Sequence, residues 1–176
     1  MRAVDERSLA ERHRLGLDKR DEMWKGVLHV VPPASQRHQS IESNLLVALW
    51  PAARRRSLRV QVETGVFAES DDYRVPDVVV FDEEAKGERG VDGAPELVIE
   101  IRSPGDETYD KLPWYLERGV EEVLIIDRDT LALELFTVEG PVPAADDGCV
   151  VLRSLGGVRV CPGDDTLVVD GSPLEL

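Results

Sequence analysis

The sequence predicts an α/β (α+β) fold with a mixed sheet, and three observations predict it. An apolar repeat of helical period over residues 35–50 is followed by three short apolar runs bounded by turn residues, and then by a second helical segment and two more strand-like runs. The chain has 176 residues, 42% hydrophobic and 32% charged, the composition of one soluble domain with its own core. Neither an internal repeat nor a low-complexity tract interrupts it.

In order, residues 1–23 are dense in charge and read as an N-terminal arm. Residues 24–176 read as a single domain, with its core over about 24–138 and a strand-rich tail over 139–176. GVLHVV (Gly26–Val31) is a short strand ended by Pro32 and Pro33, and the segment Ser35–Trp50 is a helix that Pro51 should stop. The basic run Arg54, Arg55 and Arg56 follows. LRVQVE (Leu58–Glu63) alternates with Leu58, Val60 and Val62 on one face, VVVF after Pro76 and Asp77 is a second strand, and ELVIEIR (Glu96–Arg102) is a third. Leu112, Tyr115 and Leu116 recur at helical spacing, and Gly119 suits the left-handed position past a helix end. With Asp110 as its N-cap, Pro113 would fall in the first turn. VLIID (Val123–Asp127) and LALELFTV (Leu131–Val138) are strands joined by a tight connection, and more short strands and turns follow Gly140.

Composition excludes some functions and leaves others open. The first 22 residues contain no apolar core of a leader, and the longest apolar stretch, LLVALWPAA, is about half a membrane span, so an unanchored cytoplasmic protein is expected. Cys149 and Cys161 stand in no C-x-x-C pair and near no spaced histidines, which makes them two small buried thiols and no zinc site. The net charge of -14 argues against a polyanionic partner, yet it is unevenly spread. Residues 1–60 hold 12 Lys/Arg against 7 Asp/Glu, net +5, and the remainder is net -19.

Four places carry chemistry. Asp77 stands at the mouth of an apolar strand, where a carboxylate needs a cation or hydrogen bonds. Glu100 lies inside ELVIEIR and shares a face with Val98 and Arg102, opposite Leu97, Ile99 and Ile101. On the first long helix, His38 and Glu42 point with Ile41, Leu45 and Leu49 at its N-terminal end, as at a helix running into a cleft. Lys111 would sit at the positive end of its helix dipole, which suggests a neighbour in need of a cation.

Taken as an ordered set, YRVPDVVVF (Tyr73–Phe81), PELVIEIRSP (Pro95–Pro104), YDKLPWYLERGV (Tyr109–Val120) and EVLIID resemble the Uma family of restriction endonucleases, a branch of the PD-(D/E)XK nuclease superfamily. The resemblance covers roughly Trp24–Val138, including the histidine at His38. It implies a restriction-endonuclease-like αβββαβ core with a central mixed sheet, and an endonuclease hydrolysing phosphodiester bonds, most naturally in DNA. Asp77 and Glu100 would bind Mg²⁺, with Mn²⁺ able to substitute, the Ile101 carbonyl would be a third ligand, and Glu42 would add a carboxylate. His38 would hold a water or phosphate beside them. Arg102 stands where the motif has lysine, and arginine is a poor proton acceptor. The basic role would therefore pass to Lys111, with Arg102 on phosphate. Arg54, Arg55, Arg56 and Arg59, and with them Arg37, are the candidate DNA contacts, and two-strand cleavage points to a homodimer. Two other readings fit the same residues: a nuclease-fold module that binds nucleic acid or protein without catalysis, and an acid/base hydrolase working through Glu100 and Asp77.

Overall fold

A computed structural model describes residues 6–16 and 18–176, so that residues 1–5 and Leu17 of the expected arm lie outside the described residues. The chain runs α1 (Glu6–Arg14), β1 (Glu22–Trp24), β2 (Val27–His29), α2 (Gln36–Arg55), β3 (Leu58–Val62), β4 (Val66–Glu69), β5 (Asp72–Arg74), β6 (Val78–Asp82), β7 (Val91–Asp92) and β8 (Leu97–Arg102). There follow α3 (Thr108–Glu117), β9 (Glu122–Asp127), β10 (Leu133–Thr137), β11 (Gly140–Val142), β12 (Val150–Leu152), β13 (Val158–Pro162), β14 (Leu167–Val169) and β15 (Ser172–Pro173).

The central sheet has the order β11-β10-β9-β8-β6-β3 and is mixed: β8 and β9 are parallel, with α3 as the crossover, while its other neighbours are antiparallel. Thus α2, β3, β6, β8, α3 and β9 form the αβββαβ core that the resemblance implied. Two-residue periodicity divides its apolar residues between two layers. Leu97, Ile99 and Ile101 of β8 pack with Ile41, Leu45 and Leu49 of α2 and with Leu152 and Val160 of the tail. Val98 on the opposite face packs with Trp114 and Tyr115 of α3 and with Val66 of the second sheet, β2-β1-β5-β4-β7. The strands of β8 and β9 are buried on both faces, which is why they read as nearly continuous apolar runs.

Four local expectations are corrected. Pro51 does not stop the first long helix, which continues to Arg55. The carbonyl left without its N–H partner belongs to Val47, a residue on the water side at 71% exposure, so hydration can replace the lost bond. The second expected helix begins at Thr108 rather than after Asp110, because Asp106 Oδ1 already accepts the Thr108 N–H at 3.1 Å. Residues 22–29 form a hairpin, with Met23 opposite Leu28, where a single strand was expected. Finally, Cys149 and Cys161 are joined in a disulfide. The β12–β13 register, Val150 opposite Val160, places the two cysteines next to each other across the hairpin, which spacing along the chain did not reveal.

The tail is the sheet β12-β13-β14-β15, fixed to the core by a buried carboxylate. Glu122, at the start of β9, accepts hydrogen bonds from Arg153 N at 2.9 Å, Ser154 N at 3.1 Å and Ser154 Oγ at 2.5 Å. Glu122→Ala leaves those donors unpaired and is expected to cost about 3 kcal/mol in urea unfolding. Wild-type stability in that variant would mean that apolar packing alone holds the tail.

Candidate active site

The ends of α2, β6 and β8 meet at one point of the central sheet, and the N-terminal segment closes over it. Ser35 caps α2, accepting the His38 N–H at 3.3 Å, and this sets the first turn of the helix so that His38 and Glu42 face inward. His38, Glu42, Asp77 and Glu100 are all buried, between 3% and 8% exposed. One nitrogen of His38 and one oxygen each of Glu42 and Asp77 lie within 4.8 Å of one another, an arrangement able to hold a metal ion. Buried carboxylates persist only with partners, and each here has them.

Asp77 Oδ1 lies 2.9 Å from His38 Nε2, and Oδ2 accepts the backbone N–H of Ile101 at 2.6 Å. The Pro-Asp pair explains the second bond. Continuing the register from Val78 opposite Ile99 sets Ile101 opposite Pro76, and proline has no N–H to give to the Ile101 carbonyl. That carbonyl points toward the Asp77 side of the strand, as its N–H does.

Glu100 is held from α3. Lys111 Nζ stands 3.2 Å from both of its oxygens, and one turn later Tyr115 Oη donates to Oε1 at 2.6 Å. Lys111 is shared with Glu22 of β1, 2.9 Å away, which also accepts from Trp24 Nε1 and Val75 N. Burial pushes Glu100 above the usual carboxylate range despite Lys111, with Asp77 and Glu22 adding to the rise. Burial acts against the Lys111 charge, but Glu100 and Glu22 outweigh it and keep the ammonium protonated. Burial and the charge of Glu100 likewise hold the Tyr115 hydroxyl well above its ordinary value, as a donor.

Glu42 accepts a hydrogen bond from Gln39 Nε2 at 2.7 Å, and burial, with Asp77 and Glu63 nearby, pushes it up to about 7. A metal must displace that proton. With Glu42 as a ligand, Mn²⁺ affinity is expected to rise at least tenfold between pH 6 and pH 8, since one pH unit below a pKa costs about a factor of ten and Glu100, raised as well, adds to the rise. Titration calorimetry at the two pH values checks this, and equal affinities would remove Glu42 from the ligands.

Glu22, His38, Asp77, Glu100, Ile101 and Lys111 line the floor of a cleft of about 900 Å³. One lip is the apolar connection from Leu28 to Ser35 and the other the turn Ser103–Thr108. The lips meet where His29 Nδ1 and Glu107 Oε2 lie 2.7 Å apart.

The structure thus brings together His38, Glu42, Asp77, Glu100, Ile101 and Lys111. It does not bring Arg102 to them: in the parallel pairing Arg102 is opposite Asp127, to which its guanidinium is bound, and it lies 5.7 Å from the Tyr109 ring centre. Arg54, Arg55 and Arg56 are exposed at the far end of α2, 16 residues and so roughly 24 Å of helix from His38. Arg59 is bound to Glu83, and Arg37 donates to the Arg128 carbonyl at 2.9 Å. Three site residues were not foreseen: Arg20, Glu22 and Tyr115. Only Tyr115 had a usable signal, its i,i+4 relation to Lys111.

A sequence model of the Uma2 family, described as "putative restriction endonuclease", matches residues 9–155. No curated protein matches the chain. Among solved structures, the chain is similar to a crystal structure from Anabaena variabilis described as a "putative nuclease", with a TM-score of 0.66 and 22% identity over 77% of this chain and 82% of that one. That likeness is one of fold.

Proposed function

The chain belongs to the Uma2 family, and from that premise we propose that it is a divalent-metal-dependent endonuclease that hydrolyses DNA phosphodiester bonds. One observation supports this reading above the others: His38, Glu42 and Asp77 converge within 4.8 Å of one another, and His38 and Asp77 line a cleft together with Glu100. Carboxylate oxygens and the Ile101 carbonyl are a donor set suited to Mg²⁺ or Mn²⁺. When bound, such an ion supplies charge neutralisation at the scissile phosphate and a lowered pKa for attacking water.

Around it each residue has a task. Asp77, Glu42 and Glu100 provide the negative charge that holds the ion, and His38 fixes Asp77 Oδ1 from the α2 side. Lys111 keeps its proton, so it serves as a cation that orients water or a phosphate oxygen and not as the base. Tyr115 holds Glu100 from behind. Arg102, bound to Asp127, reaches phosphate only if that pair opens. Arg54–Arg56 and Arg59 would meet flanking backbone at a distance from the cut, giving binding its salt dependence. The product would carry a 5'-phosphate, and two strands would be cut by a homodimer. Among the described residues no helix is long and apolar enough to cross a membrane.

The test is a supercoiled-plasmid assay in Mg²⁺ and in a chelator, beside calorimetry of the wild type and the Asp77→Ala/Glu100→Ala double variant. Metal-dependent nicking and saturable metal binding, both lost in the variant, are expected. Cleavage that persists in chelator would sink the proposal in favour of acid/base hydrolysis. A second reading has an observation of its own: Arg20 and Lys111 already pair with Asp77 and Glu100, as a non-catalytic binding module would need. In that case both proteins would take up metal alike.

A further inference from the structure

Glu42, Glu63 and Asp77 share one cation that the chemistry above does not use. Arg20 Nη2 lies 3.3 Å from Asp77 Oδ1 and 3.9 Å from Glu42 Oε2, and its Nε lies 3.3 Å from Glu63 Oε1. The side chain is only 19% exposed and lines the cleft. Asp77 Oδ1 is the same oxygen that faces His38, and Asp77 and Glu42 are two of the three metal-competent side chains. The guanidinium thus stands at the donor atoms themselves.

The segment that delivers Arg20 is anchored. The next residue, Asp21, is buried and accepts hydrogen bonds from Arg12 Nη2 at 2.6 Å and from Val31 N at 3.1 Å. A guanidinium does not lose its proton in a protein, so it can leave these carboxylates only by moving. Two cations a few ångströms apart repel strongly at a site screened from water. Glu63, at the partly exposed side, would retain the Nε contact and let the Nη2 end swing away from Asp77.

We propose that Arg20 is a built-in counter-ion that competes with the divalent metal for Asp77 and Glu42, so that the N-terminal segment sets how tightly the site takes metal. This rests on the metal-site reading above, and it is testable without turnover. Mn²⁺ is titrated calorimetrically into the full chain as wild type, Arg20→Gln and Arg20→Lys. Arg20→Gln is expected to bind Mn²⁺ at least tenfold more tightly than wild type. Arg20→Lys should fall between the two, because an ammonium cannot span Asp77 and Glu63 with a planar fork. If wild type binds Mn²⁺ and both variants bind it equally or more weakly, the competition is overturned while the metal site stands. Absence of saturable binding in all three proteins overturns both. Should Arg20→Gln fail to fold, Arg20→Lys alone decides by the same comparison.

Discussion

Asp77→Asn is expected to abolish saturable Mg²⁺ and Mn²⁺ binding and to lower metal-dependent cleavage by more than about 100-fold, since groups one shell further out already cost 10–100-fold when removed from metal sites. The substitution is close to isosteric. An amide oxygen still accepts the Ile101 N–H that Asp77 Oδ2 takes at 2.6 Å, so the β6–β8 junction should persist and the loss should be one of charge. The proton balance changes with it, because the Asp77 charge is one of the causes that raise Glu42. In Asp77→Asn, Glu42 should titrate at lower pH, which carboxyl resonances can report. Cleavage within threefold of wild type would remove Asp77 from the reaction.

Lys111→Met carries the largest expected effect on stability. The ammonium is the shared partner of two buried carboxylates, 2.9 Å from Glu22 and 3.2 Å from Glu100. Removing one member of a buried ion pair leaves an uncompensated charge and typically costs 3–5 kcal/mol. The loss should grow with pH. Without Lys111, the Glu100 carboxyl, already raised by burial, rises further in the folded state, so the folded protein holds more protons than the unfolded one. Stability then falls as pH climbs above the unfolded carboxylate value of about 4.3 toward the raised one. Wild type, whose Glu100 is itself pushed up to about 8, loses stability in step up to that pH, so the deficit should widen above it and urea unfolding at pH 7 and pH 9 should show the smaller deficit at pH 7. An equal deficit at both would mean that lost packing, not charge, is responsible, and adding Glu22→Gln and Glu100→Gln should recover most of the stability.

How far the site could be read from the sequence follows from which constraints are local. A carboxylate amid apolar strand residues has few explanations, so Glu100 and Asp77 stood out, and helical period alone turned His38 and Glu42 inward. The core order of helices and strands was legible for the same reason. Register was not. That Arg102 lies beside Asp127 and away from Asp77 and Glu42 depends on how β8 and β9 align, which no period within either strand encodes. Arg20 and Glu22 were hidden differently: they sit in a charge-dense segment where two more charges carry no signal, and Arg20 reaches Asp77 across 57 positions of chain. Pro51 misled because a proline rule assumes that a lost hydrogen bond goes unreplaced, whereas an exposed helix face lets water replace it.

The contact of His29 with Glu107 at the lips of the cleft bears on the kinetics of entry. Glu107 is 55% exposed, and a pair so open to water is worth no more than about 1 kcal/mol. As far as this contact is concerned, an energy of that size holds the lips together by a factor of roughly five, so on the order of one molecule in six is open at any instant. Motions of such connections take nanoseconds to microseconds, far faster than a turnover of milliseconds or longer. Parting of the lips would therefore not limit the turnover of the proposed reaction.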